Sequence, residues 1–181
     1  MKTTTYNLAL LGFGNVGRAF VSLLERKRQE LGDHHGIECR VTGVATRRMG
    51  WIAAPDGLDT AALLRGETPA GEPRASNVRD WLRAARADVL FEITSLNRET
   101  GQPAIGHLRA ALELGAHAIT ANKGPVVHGY GELSALAGNA GRRFLFESAV
   151  MDGSSLSMRF LPCSAAALSL ASSASAWRIS P

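Results

Sequence analysis

The chain has few cysteines, no long apolar run and no block of like charge. Each shortage removes a class of protein. Its 181 residues include only Cys39 and Cys163. They stand too far apart for a metal-binding or redox spacing, and nothing suggests the disulfide framework of an oxidising compartment. No stretch approaches the roughly 20 apolar residues of a membrane span. The opening "MKTTTYNLALLGFGNVG" has an apolar segment only as long as a strand. It enters a glycine motif instead of a small-residue cleavage site, so it does not read as a secretory leader. The expectation is a cytoplasmic protein with no membrane partner. Internal repeats are also lacking. The formal net charge is +4 and the pI about 9.6. The basic residues are scattered over "ERKRQE", "TRRMG" and "AGRRF" and form no stripe, so no nucleic-acid partner is expected.

Histidines offer little chemistry. His34 and His35 are adjacent in a Gly/Asp-containing stretch and read as a solvated loop, not as metal ligands. His107, His117 and His128 stand alone and read as satisfied structural residues. No Ser/His/Asp arrangement can be argued from sequence order.

What is present suits a soluble globular domain of ordinary size, with 45% hydrophobic and 20% charged residues. Short apolar runs ending in small residues read as strands: "YNLALLG", "CRVTGVAT", "ADVLFEIT", "AHAITAN" and "RFLFESAV". Helical spacing lies between them. "VGRAFVSLLERKRQELG" puts Val16, Phe20, Leu23, Leu24 and Leu31 on one side. "NVRDWLRAARA" opens on Asn77, a good N-cap, and buries Val78, Trp81 and Leu82. "PAIGHLRAALELGA" opens near Pro103 and ends at Gly115, and "YGELSALAGNAG" is a further short helix. This alternation predicts an α/β fold with a doubly wound, mostly parallel sheet. The stretch from Met49 to Ser76 reads as a surface excursion with one helical piece, "LDTAALLRG".

"GFGNVG" sets Gly12, Gly14 and Gly17 in G-x-G-x-x-G spacing, between an apolar strand and an amphipathic helix. Gly12 permits the tight turn, Gly14 leaves room for a pyrophosphate, and Gly17 lets the helix pack closely. The helix N-terminus then faces the phosphates. The alternative is a glycine turn with no ligand. At the end of the second strand, where an acid would bind a ribose 2′-OH, the chain has Thr46, Arg47 and Arg48. Two guanidinium groups suit a 2′-phosphate, which favours NADP over NAD; otherwise they are solvated loop arginines. "FEITSLN" places Glu92 inside an apolar strand, where a carboxylate needs partners. Capping a neighbouring loop is one such use. Thr94 and Ser95 follow at the strand's carboxyl end, where ligands gather in open α/β sheets. "ITANKGPV" sets Lys123 after another strand, between Asn122 and a Gly124–Pro125 turn. It is either a group that polarises a carbonyl or holds a carboxylate in the crevice, or an ordinary surface lysine.

Together "LLGFGNVGRAF", "GVATRRMGW", "LFEITSLN", "TANKGPV" and "FLFESAVMDG" resemble, in order and spacing, the N-terminal half of homoserine dehydrogenase. The resemblance implies NAD(P)-dependent interconversion of homoserine and aspartate semialdehyde, toward threonine and methionine. It implies a Rossmann-like nucleotide-binding domain, here residues 1–153, followed in the family by a dimerisation and catalytic domain. By position it makes Phe13, Gly14, Asn15 and Val16 pyrophosphate contacts, and puts Thr94 and Lys123 near the nicotinamide and the substrate. It sets Glu147 and Val150 where the family can hold a monovalent cation, largely through backbone carbonyls.

After Gly153 the chain departs from that pattern. Nine of its last 28 residues are serine and none is acidic. The expectation is that residues 154–181 form no domain and that the family's catalytic second-domain lysine has no counterpart here. The chain would then hold a cofactor and turn over little substrate. A stand-alone NADP-binding regulatory module, or a small dehydrogenase with another semialdehyde or amino-acid substrate, stays open beside this.

Overall fold

The computed structural model describes residues 3–68 and 75–146. Six strands form one sheet: β1 (Thr4–Leu11), β2 (Ile37–Thr46), β3 (Gly50–Ala53), β4 (Val89–Glu92), β5 (His117–Thr120) and β6 (Phe144–Leu145). Their order across the sheet is β3-β2-β1-β4-β5-β6, and all neighbours run parallel except β2 and β3. The strand order reverses between β1 and β4, so the chain winds outward in both directions from a central crevice. This is the doubly wound sheet that the strand–helix alternation predicts.

Alternation along each strand builds two cores. Leu8 and Leu10 of β1 face one side, with Val44, Val89 and Phe91. Helices α1 (Asn15–His35) and α2 (Thr60–Arg65) cover that side through Val21, Leu24, Leu31 and Leu63. Ala9 and Leu11 face the other side, with Leu90 and Ala118. There α3 (Val78–Ala84), α4 (Ala104–Glu113) and α5 (Lys123–Asn139) contribute Trp81, Leu82, Leu108, Leu112 and Leu133. Covered on both faces, the strands need no polar side.

Four readings of the sequence require correction. Helix α1 does not stop at Gly32; it runs on through His34 and His35 to Gly36, whose φ of 62° lets its N–H close on the carbonyls of Gly32 and Leu31. The two histidines therefore form its last turn. Val16 is 59% exposed and is no part of the buried stripe; Val21, fully buried, takes its place. The segment after β2 is not merely an excursion. Its residues Gly50–Ala53 return as the antiparallel edge strand β3, with Ile52 and Ala53 buried. Trp81 fixes that edge from α3 by donating its indole N–H to the Ile52 carbonyl at 2.8 Å. Finally, Gly124 and Pro125 form no turn: α5 begins at Lys123, and Asn122 caps it by accepting the Gly124 N–H. Proline is tolerated there because first-turn N–H groups have no partner inside a helix. The Asn77 cap on α3 and the α4 start after Pro103 agree with the sequence reading.

Candidate functional site

The carboxyl ends of β1, β2 and β4 open on a cleft of about 660 Å³. Its walls are the loop after β1 (Gly12, Phe13, Gly14), the β2–β3 turn (Thr46 to Gly50) and Ile93 to Ser95 after β4.

The three glycines of the first loop do three different things. Gly12 has φ +101°, and a Cβ there would lie 2.5 Å from the Ile93 carbonyl oxygen. A side chain at Gly17 would press within 3.1 Å of the Gly12 carbonyl and 3.2 Å of Ile93 Cδ1. A Cβ at Gly14 would meet nothing within 4 Å. So packing and backbone demand the first glycine, the third lies in a tight contact, and the middle one keeps a space beside the cleft clear. Gly14 is also the N-cap of α1 and offers no side chain to its first-turn N–H groups. Those donors, at the positive end of the dipole of a 21-residue helix, suit an anion.

Arg47 and Arg48 sit exposed in the β2–β3 turn and line the cleft. Thr46 shapes that turn by accepting the Met49 N–H at 3.0 Å. Neither arginine forms an ion pair with another described residue. At the other end, Thr94 and Ser95 line the cleft where β4 ends. Glu92, fully buried, accepts the Thr94 N–H at 2.9 Å and the Thr94 hydroxyl on Oε1, and the Thr120 hydroxyl at 2.6 Å on Oε2. The capping use considered for this carboxylate is therefore realised.

Some cleft residues carry no warning in the sequence. Arg18 is one helical turn beyond Gly14; it donates to the Leu64 carbonyl at 2.8 Å and lies 5.6 Å from the Phe13 ring centre. That spacing is the one available signal for it. Trp51 and His107 line the cleft with ring centres 5.9 Å apart, edge to face. Only pairing of β3 with β2 brings Trp51 there. His107 is not the satisfied residue expected: its buried Nδ1 has no hydrogen-bond partner among the described residues. Burial lowers its pKa below the usual histidine value. His117 does have a partner, its Nδ1 accepting the Arg143 N–H at 3.1 Å, and His128 bonds the Arg98 carbonyl at 2.8 Å.

The structure thus brings Gly12, Phe13, Gly14, Arg47, Arg48 and Thr94 around one cleft. Asn15 and Val16 are exposed on the first turn of α1, and Gly17 packs behind the loop. Lys123 is exposed at the carboxyl end of β5 and is not among the cleft-lining residues. Glu147 and Val150, expected at a cation, lie outside the described residues. Among the described residues no three His, Cys, Asp or Glu side chains group to hold a metal, and no helix is long and apolar enough to cross a membrane.

A family model for the homoserine dehydrogenase NAD-binding domain matches residues 12–147. The chain belongs to the homoserine dehydrogenase family. Among its relatives, the NAD(+)-dependent homoserine dehydrogenase of Pseudomonas canavaninivorans is 35% identical over 158 residues, covering 83% of this chain and 45% of that protein. The crystal structure of a homoserine dehydrogenase homologue from Archaeoglobus fulgidus superimposes with TM-score 0.62 at 32% identity, over 82% of this chain and 42% of the other. A hyperthermophilic archaeal homoserine dehydrogenase mutant in complex with NADPH shares the fold, with TM-score 0.66 at 24% identity, over 83% and 46%. The chain spans 45% and 43% of the length of the first two curated relatives it matches. What it holds of the homoserine dehydrogenase architecture is the NAD-binding domain.

Proposed function

We propose that this chain binds NADP in the β1–β4 cleft, as the cofactor half of a homoserine dehydrogenase that interconverts homoserine and aspartate semialdehyde. The observation that carries the reading is the division of labour among Gly12, Gly14 and Gly17. Gly12 is forced by a main-chain oxygen and Gly17 sits in a tight contact, while Gly14 keeps open the space that a pyrophosphate needs. The bound nicotinamide supplies hydride transfer. The protein's own groups do the rest. The first-turn N–H groups of α1 hold the phosphates, and Arg18 adds a positive charge near them. Arg47 and Arg48 take the 2′-phosphate, with Thr46 where an NAD-binding chain would place an acid. Lys123, at the end of β5, assists at the substrate side of the nicotinamide.

Preference for NADP rests on the arginine turn. The NAD(+)-dependent Pseudomonas relative makes it the point to test first. NADPH and NADH are titrated by fluorescence into the wild-type chain and into the Arg47→Ala/Arg48→Ala variant. NADPH should bind about tenfold or more tightly than NADH to the wild type, and the preference should vanish in the variant. Equal affinities in the wild type would remove the NADP assignment and leave NAD. Failure to bind either would remove the cofactor reading. The full reaction also draws on the family's second domain. Homodimerisation and a monovalent cation at Glu147 and Val150 belong to that same proposal.

A further inference from the structure

The β4 end of the cleft has a hydrogen-bond polarity. A threonine hydroxyl has one proton to give and two lone pairs. The Thr94 proton is committed to Glu92 Oε1, and the Thr94 main-chain N–H goes to the same oxygen at 2.9 Å. Thr94 therefore has no donor left for the cleft; its hydroxyl can only accept. The carboxylate cannot readily turn to release it. Its other oxygen takes the Thr120 hydroxyl at 2.6 Å, and Thr120 Oγ1 in turn accepts the Asn122 N–H at 3.0 Å. Asn122 ties this chain to the loop by donating to the Ser95 carbonyl at 3.4 Å, while its side-chain oxygen caps α5.

We propose that Glu92 is a positioning residue that fixes the Thr94 hydroxyl as an acceptor and so selects a hydrogen-bond donor at the β4 end of the cleft, the carboxamide N–H of a nicotinamide. An anion or a bare carbonyl set against the Thr94 hydroxyl would meet only its lone pairs. With Arg47 and Arg48 at the β2 end claiming the adenosine phosphate, the cleft sets charged donors at one end against the Thr94 acceptor at the other. The inference rests on the NADP reading and adds which atom recognises the nicotinamide and what orients it.

The test separates the two halves of the cofactor by calorimetry. NADPH, 2′,5′-ADP (the adenosine half) and the 3-acetylpyridine analogue of NADP, whose methyl ketone has no N–H, are titrated into the wild type, Glu92→Gln, Thr94→Val and Thr94→Ser. Glu92→Gln and Thr94→Val should weaken NADPH about fivefold to tenfold, while 2′,5′-ADP stays within about twofold throughout. Thr94→Ser should restore NADPH binding. The wild type should prefer the carboxamide cofactor to the acetyl analogue, and Glu92→Gln should narrow that gap. A purely structural Glu92 would lower both halves together and leave the gap unchanged, which overturns the proposal. So would unaltered NADPH binding in Thr94→Val. If Glu92→Gln does not fold, the Thr94 pair and the analogue decide the matter. Binding of 2′,5′-ADP by the wild type holds the NADP reading in place whatever Glu92 does. If neither NADPH nor 2′,5′-ADP binds the wild type, both readings fall.

Discussion

At the β1 end of the cleft the wall is main chain: Gly12, Gly14 and Gly17 act by what they lack. At the β4–β5 end the wall is a side-chain relay, from half-buried Thr94 through buried Glu92 and Thr120 to Asn122. Both ends present polar groups to a ligand, but they fail differently. A backbone wall is broken by adding one carbon. A side-chain wall is broken by removing one oxygen, and a conservative replacement can repair it.

The largest effect should come from Gly12→Ala. The new Cβ would sit 2.5 Å from a main-chain oxygen that cannot swing aside, at a φ of +101° that side chains avoid. We expect a loss of about 3 kcal/mol or more, read as a steep fall in the thermal midpoint. Gly14→Ala is its foil. No atom lies within 4 Å of that Cβ, so the fold should survive within about 1 kcal/mol. NADPH affinity should nevertheless fall on the order of 100-fold, about 2.7 kcal/mol, because the methyl group occupies the pyrophosphate's approach. If the two variants lose stability alike, the division of labour in the loop is wrong.

Next in size is Thr120→Val. Valine matches the shape and suits a strand, but it leaves Glu92 Oε2 and the Asn122 N–H without their partner in a buried site. Such orphans cost about 1–3 kcal/mol. Thr120→Ser keeps the hydroxyl and should recover most of the loss in chemical denaturation. Equal losses in the two variants would mean that packing, not the relay, holds this end.

The two ends also differ in how far the sequence betrays them. The glycine loop is local: spacing, preceding strand and following helix all lie within a short stretch, so the doubly wound class and the candidate phosphate loop can be reasoned out from residues alone. The relay is not local. Glu92 is conspicuous inside an apolar strand, yet its partner Thr120 lies 28 residues on and is supplied only by the β4–β5 register. β3 escapes for a similar reason. Four residues in a Gly/Pro/Ala-rich stretch have no period of their own, and pairing with β2 makes them a strand. The start of α5 escapes because "KGP" is turn chemistry in isolation and a helix N-terminus only once Asn122 is seen to cap it.

The smallest effect, and the one that extends the comparison along β5, concerns its opposite end. His117 is buried there, and its Nδ1 accepts the Arg143 N–H at 3.1 Å. Burial first, and then the charges of Arg142 and Arg143, push its pKa down to about 4. The folded pKa lies below the ordinary value of 6.5. The unfolded chain therefore takes up the proton first, and stability present above pH 6.5 should drain away as the pH falls toward 4. Below that, both states carry the proton and this source of loss ends. His117→Asn keeps an acceptor for Arg143 but does not titrate. Urea midpoints at pH 7 and pH 4.5 should drop markedly for the wild type and much less for the variant. Parallel drops would place the acid sensitivity in carboxylates instead. The first-turn N–H groups of α1 at the β1 end are main-chain amides and do not titrate. Cofactor-loop geometry should therefore persist, and Gly14→Ala should retain its binding defect, at any pH where the fold survives.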